Sequence, residues 1–184
     1  MERPDTRLVY CVTVQGLFHL SLGGRLSPAA RNALREAGLD LDQDLLPAYT
    51  ITTWLKCLDI ALQDLWPGKE RDEAWRLLGH ALIEGMMSTM LGRVMATAAC
   101  ALGTRRSLSQ FNRAFRGSDN YVELRLSERA PGMCELWLND ILDRPRYYVG
   151  ILEASMKVMG APEARVTVLR SEPPAGVFLI EWKV

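Results

Sequence analysis

"YVELRLSERAPGMCELWLN", Tyr121–Asn139, is where the chain changes its period. Before it, apolar residues recur at helical spacing; within it, they alternate. Val122, Leu124 and Leu126 fall on one side of an extended chain, and Glu123, Arg125 and Ser127 on the other. That is the pattern of a half-buried strand. Ala130-Pro131-Gly132 suits a turn, and "MCELWLN" (Met133–Asn139) alternates again, so the stretch predicts an antiparallel hairpin.

Working outward, "RPRYYVGILEASMKVMG" (Arg144–Gly160) returns to helical spacing, with Pro145 near its start and Gly160 at its end. Two further strands follow, near Ala164–Leu169 and Val177–Val184, joined by "SEPPAG" (Ser171–Gly176). The C-terminal half therefore reads β-β-α-β-β, and the helix must cover one face of a four-stranded, mainly antiparallel sheet. Upstream, "SQFNRAFRGSDNYVEL" (Ser109–Leu124) combines two phenylalanines, two arginines and a Gly-Ser-Asp-Asn knot. A short helix from about Ser107 to Arg116 places Phe111 and Phe115 on one face. Gly117 then offers a left-handed exit, and Asp119-Asn120 suit the turn into the strand.

The N-terminal half is helical. In "LSPAARNALREAGLD" (Leu26–Asp40), Ser27 is an N-cap, Pro28 fits the first turn and Gly38 ends the helix. "YTITTWLKCLDIALQDLWPG" (Tyr49–Gly68) carries a second helix stopped by Pro67-Gly68. From Glu70 to Leu102 one long pattern predicts the central helix, its apolar face including Trp75, Leu78, Leu82, Met86, Met90, Val94 and Met95. Gly79, Gly85 and Gly92 are the places for a kink or break. "RLVYCVTVQGLFHLSL" (Arg7–Leu22) fits a strand running into a short helix and leaves the division open. The expectation is one α+β domain over residues 1–184, mainly helical over about 15–116, with β-β-α-β-β over about 120–184.

Composition supports a packed core: 48% of the 184 residues are hydrophobic. Lysine plus arginine equals aspartate plus glutamate at 22 each, which argues against a nucleic-acid partner, since such binders carry a basic excess. Cys11, Cys57, Cys100 and Cys134 stand far apart among apolar neighbours with no Cys-x-x-Cys pair. Four reduced, mostly buried thiols are expected, and with them a reducing compartment. The N-terminus lacks the pattern of a signal peptide, and the long helical region carries Arg76, His80, Glu84 and Arg93, too polar for a membrane span. Cytoplasmic localisation is the expectation.

"WRLLGHALIEGMMSTMLGRVM", "FNRAFRGSDNYVELRL" and "RPRYYVGILEASMKVMGAPEARVTVL", followed by "FLIEW", resemble a paralogous bacterial family of unknown function expanded in myxobacteria. The resemblance runs from about Gln15 to Trp182. It is most specific at Leu78-Gly79, Thr89-Met90-Leu91-Gly92, Asn120-Tyr121 and Tyr148-Val149-Gly150-Ile151-Leu152. Where the family has Thr-Gly-Asn-Asn-Tyr, this chain has Gly117-Ser118-Asp119-Asn120-Tyr121. The element order is also similar to a superfamily of vinyl-reductase-type domains, subunits of the transport-protein-particle (TRAPP) trafficking complexes and haem-based nitric-oxide sensors. That likeness implies binding of a small or hydrophobic ligand, or service as a dimeric interaction subunit.

Haem needs an axial ligand and polar groups for its propionates. His80 stands alone within a helix, His19 is no better supported, and the Tyr-x-Ser-x-Arg arrangement of the sensors is absent. No cofactor is expected. Gly85, Thr89 and Gly92, at i, i+4 and i+7, would form a strip of small residues on a continuous helix beside flexible Met86 and Met90. These five are the candidate apolar groove or helix seam, with ordinary helix packing as the plainer account. Arg105, Arg106, Arg113 and Arg116 are a candidate anion or partner patch, with Arg93 nearby and Arg144 and Arg146 as an extension, against the plainer account of a solvated basic face. Asp40, Asp42 and Asp44 alternate but lack the glycine and terminal glutamate of a calcium loop. With neither a Gly-x-Ser-x-Gly elbow nor a His-Glu-x-x-His helix, enzymatic activity is unsupported. The expected function is a non-enzymatic ligand-sensing or protein-interaction domain. It would be a homodimer or have a protein partner, and would bind a small hydrophobic ligand or partner helix. A purely structural dimerisation subunit is the alternative.

Overall fold

A computed structural model describes residues 5–184, the side chains of 113 and 114 excepted. β1 (Leu8–Tyr10) runs directly into α1 (Cys11–Val14), which continues as a π-helical segment, Gln15–Ser21. α2 (Pro28–Glu36) begins as its sequence requires: the Ser27 hydroxyl accepts from the Ala30 N–H at 3.1 Å and Pro28 opens the first turn. β2 (Ala48–Thr50) pairs antiparallel with β1. α3 (Ile51–Leu65) follows at once, capped by Thr50, and buries Trp54, Cys57, Leu58 and Ala61.

The long pattern from Glu70 to Leu102 is two helices, α4 (Arg71–Ser88) and α5 (Met90–Leu102), bent by 101° at Thr89. Local chemistry explains the break. Thr89 is extended (φ −69°, ψ 158°), and its Oγ1 accepts from the Gly92 N–H at 2.8 Å while donating to the Met86 carbonyl at 3.0 Å. Ser88 donates to the Gly85 carbonyl at 2.7 Å. Thus the hydroxyls of two adjacent residues satisfy the end of one helix and the start of the next. The signal was a threonine ahead of an apolar run, hidden by the continuity of the apolar pattern. The expected single helix from Ser107 to Arg116 is also two, α6 (Thr104–Ser109) and α7 (Phe111–Arg116), with Phe111 and Phe115 in edge contact at 5.5 Å between centroids.

β3 (Leu124–Ala130), β4 (Met133–Leu138), α8 (Pro145–Val158), β5 (Arg165–Glu172) and β6 (Ala175–Glu181) complete the chain. The sheet order is β3-β4-β6-β5, antiparallel throughout, with Leu124 opposite Leu138 and Leu126 opposite Leu136. Its inner face contributes Cys134, Leu136, Leu138, Phe178 and Ile180, all fully buried.

α4 lies between α8 and the π-helical segment at two glycine contacts. A Cβ on Gly79 would collide with the Tyr147 carbonyl of α8, and one on Gly150 with the Arg76 carbonyl of α4. A Cβ on Gly85 would collide with the Gly16 carbonyl. The helix-to-strand joint docks on β1. Tyr10 N donates to the Ser118 carbonyl at 2.9 Å, and Asn120 Oδ1 accepts from Leu8 N at 2.7 Å. Asp119 Oδ1 accepts from the N–H groups of Tyr121 and Val122 at 3.1 and 2.8 Å.

No single described helix is long and apolar enough to cross a membrane; the α4–α5 pair passes only when its two bent halves are taken together. Cys57 and Cys134 are buried, and burial pushes their thiols up to about 12 and about 11. Cys11 is half-buried and Cys100 exposed, a correction to the expectation of mostly buried thiols. Cys100 lies on α5, whose outer surface faces solvent rather than the core.

Candidate functional site

The bend at Thr89 swings α5 across the body of the protein without sealing it. Of the thirteen residues of α5 only Gly92 is buried, and Met90, Leu91, Val94, Met95 and Leu102 remain exposed. Behind α5 lies a cavity of about 450 Å³. Its walls come from α4 (Leu82, Ile83, Met86), α5 (Leu91, Met95, Ala99), α7 (Phe111, Phe115) and α8 (Tyr147, Tyr148, Ile151). Val9 of β1 and Trp54 of α3 close it from the other side.

The wall is apolar, and most of its polar groups are spoken for. Thr13 donates to the Ser118 carbonyl at 2.9 Å, and Ser107 to the Ala99 carbonyl at 2.7 Å. Asp119 is buried; desolvation raises its pKa above the usual carboxylate value despite the hydrogen bonds from Val122 and Tyr121. Burial likewise raises the phenols of Tyr121, Tyr147 and Tyr148, which stay neutral. One group stands apart. The Tyr147 hydroxyl is fully buried and has no hydrogen-bond partner among the described residues. An orphaned buried donor is uncommon in native proteins and costs about 1–3 kcal/mol.

The predicted site residues distribute unevenly. Met86, Thr89 and Gly92 line the cavity, as does Met87. Gly85 does not; it is the close contact between α4 and Gly16. Met90 points to solvent, 77% exposed. The strip of Gly85, Thr89 and Gly92 does not form, because the helix that would align them ends at Thr89. Sequence periodicity missed the aromatic wall, since Phe111, Tyr147 and Tyr148 come from separate elements.

Among the arginines, Arg105 pairs with Glu128 at 2.8 Å, while Arg106 and Arg116 are exposed and Arg113's side chain lies outside the described residues. Arg105 and Arg106 lie inside the six-residue α6 rather than ahead of it. Arg144 and Arg146 sit elsewhere, at the start of α8. Asp40 and Asp42 are held by Arg35 at 3.1 and 2.8 Å, and no cluster of potential metal ligands exists among the described residues. His80 Nε2 lies 2.8 Å from Glu153, which also accepts from Arg76 at 2.7 Å.

The fold is similar to that of H-NOX domains. A structure described as giving insight into H-NOX activation shares 14% identity and a TM-score of 0.68, covering 96% of this chain and 97% of its own. An oxygen-binding H-NOX domain related to soluble guanylate cyclases, solved as its oxygen complex, shares 14% identity with a TM-score of 0.65, covering 94% and 92%. A third, from work on haem distortion in the H-NOX family, also shows 14% identity, a TM-score of 0.65 and the same coverage.

These likenesses raise haem, and the residues present do not fit it. Among the described residues the cavity wall has no histidine, cysteine, lysine or arginine. His80 is turned to Glu153, and His19 is exposed. The stretch nearest to Tyr-x-Ser-x-Arg, Tyr121-Val122-Glu123-Leu124-Arg125, has glutamate for serine, and Arg125 stacks over Trp137 at 4.8 Å outside the wall. Two propionates would lie in this wall without a described cationic partner. No functionally curated protein matches the chain. Residues 7–183, nearly its whole length, match the family described as "Protein of unknown function (DUF2378)", and the chain belongs to that family.

Proposed function

We propose that this chain is a non-enzymatic ligand-sensing domain that holds a small, uncharged, mainly apolar molecule between α4, α5, α7 and α8. The observation that carries this reading is the cavity of about 450 Å³ with its apolar wall, a volume typical of small-molecule sites. An ionised ligand would be desolvated there without a compensating charge. A single polar atom on the ligand would find the Tyr147 hydroxyl. The sensing element is α5. Tethered at Thr89 and little buried, it gains contacts from anything that fills the space behind it, so occupancy favours its docked position.

A second reading rests on a different observation: Met90 and Val94 of α5, which lie outside the cavity wall, are 77% and 62% exposed. They suit a protein-interaction or homodimer face. Native mass spectrometry before and after denaturation, with melting curves in neutral lipid-like compounds, tests the first reading. A retained small molecule, or a rise in Tm abolished by Ala96→Trp in the cavity wall, supports it; neither retention nor any shift sinks it. Met90→Glu with Val94→Glu, both outside the wall, should leave ligand binding intact and dissociate any dimer seen by light scattering.

A further inference from the structure

A second recess, of about 130 Å³, lies where the first turns of α4 and α8 meet. Its wall includes Arg71, Asp72, Trp75, Asp143, Arg144 and Arg146. Two buried nitrogens of this wall have no partner among the described residues, Nε1 of Trp75 and Nε of Arg144. Trp75 is only 3% exposed, and the Arg144 guanidinium lies over its ring at 5.1 Å. Both orphan groups are donors only, so the partner they lack is an acceptor.

Charge and backbone agree. Each of the three guanidinium groups pairs with a carboxylate at the rim, Arg146 with Asp72 at 3.1 Å, Arg71 with Asp59 of α3 at 3.8 Å and Arg144 with Asp143 at 3.9 Å. An anion would take the place of these exposed carboxylates, 74%, 38% and 72% accessible. Neither helix start is capped by a side chain: Glu70 and Arg144 occupy the cap positions of α4 and α8 without a capping hydrogen bond. Helix starts favour negative charge. The loop before α8 is built to hold Arg144 in place. Leu142 and Asp143 both take φ of 53°, which L-residues rarely adopt, and Asp140 Oδ1 secures the loop by accepting from Leu142 N at 2.8 Å.

We infer that this recess binds a phosphate-sized oxyanion. Arg144 and the Trp75 indole N–H act as the inner donors, with Arg71 and Arg146 as the outer charges. The anion would be free phosphate or the phosphoryl group of a small metabolite.

The test uses the intact protein and inorganic phosphate. In a ¹H–¹⁵N spectrum five indole signals are expected from the five tryptophans, and the one missing in Trp75→Phe is that of Trp75. Millimolar phosphate should move that signal saturably, while chloride at matched ionic strength should not. Calorimetry should give one site, weakened at least about tenfold by Arg144→Gln and severalfold by Trp75→Phe. Lys56→Gln, at an exposed position of α3 outside the recess, should bind as the wild type does. A small phosphomonoester that competes with phosphate identifies the metabolite source, and failure of esters to compete identifies free phosphate. A stationary Trp75 signal, or phosphate affinity unchanged in both recess variants, overturns the inference. If Arg144→Gln fails to fold, the indole signal and Trp75→Phe still decide it.

Discussion

Removing the Tyr147 hydroxyl should stabilise the empty protein, the reverse of what deleting a buried polar group usually does. The side chain is 3% exposed, its ring packs edge-on against Trp75 and Tyr148 at 6.0 and 5.7 Å, and its hydroxyl has no partner among the described residues. Tyr147→Phe keeps the ring and both aromatic contacts. A buried donor left unmade costs about 1–3 kcal/mol, whereas a satisfied one contributes about 1 kcal/mol. The void left by one oxygen costs only the few contacts that atom makes. The expected net gain is therefore about 1 kcal/mol, or about 2–4 °C in Tm for a domain of this size. Urea denaturation and calorimetry on protein refolded from denaturant, and so stripped of ligand, measure it. With ligand present the sign reverses: the wild-type hydroxyl then gains about 1 kcal/mol from its bond while the empty variant keeps its advantage of about 1 kcal/mol, so binding weakens by about 2 kcal/mol, about thirtyfold in Kd. A Tm lowered by 3 °C or so in the stripped variant would refute the reasoning, since it would mean that the hydroxyl has a partner within the fold.

Two further outcomes follow from the packing around α4. Gly79→Ala and Gly150→Ala each put a Cβ onto the facing helix's carbonyl, and each should lose about 3 kcal/mol in urea unfolding. The double variant should lose less than the sum, because one helix separation relieves both. Gly24→Ala, with nothing within 4 Å of its new Cβ, should change stability by less than 1 kcal/mol or so. Glu153 gives a pH signature. Burial alone would raise its pKa, but the hydrogen bonds from His80 and Arg76 outweigh that and bring it below 4.5. Its contribution is complete above that value and is lost as pH falls through the folded-state pKa. Glu153→Gln should thus be less stable at neutral pH by about 2 kcal/mol and show a shallower loss of Tm in acid. An unchanged acid slope would exclude Glu153 as its source.

How much was legible in the sequence depended on the range of the forces involved. Ser27 and Pro28 start α2, Pro145 and Gly160 bracket α8, and Leu124 and Leu126 face inward opposite Leu138 and Leu136. Each of these outcomes is decided within a few residues by capping, φ preference or alternation. In the stretch Ser109–Leu124 only the turn was legible in this way: the helix before it breaks at Gln110, Gly117 does not take the left-handed conformation expected of it, and Asp119 and Asn120 are the fastenings to the turn itself and to β1. The bend at Thr89 was legible only as a break near one of three glycines, not at the threonine that makes it, because an unbroken run of apolar residues satisfies a straight helix as well as a bent one.

The site itself came from contacts that no local pattern carries. Met86 and Gly92 were on the candidate list, but for a strip that the bend abolishes; they reach the cavity because α5 turns back at Thr89. Tyr147 and Phe111 looked like ordinary helix-face residues, and only packing of α7 and α8 around one space left a hydroxyl without a partner. Arg144 acquired its place when the Gly79–Gly150 contact brought the starts of α4 and α8 together. Sequence by itself determined the elements and which of their faces are apolar, because propensity, capping and period act along the chain. Tertiary structure alone decided where those faces fail to meet, because a cavity and an orphaned donor are properties of several elements packed at once.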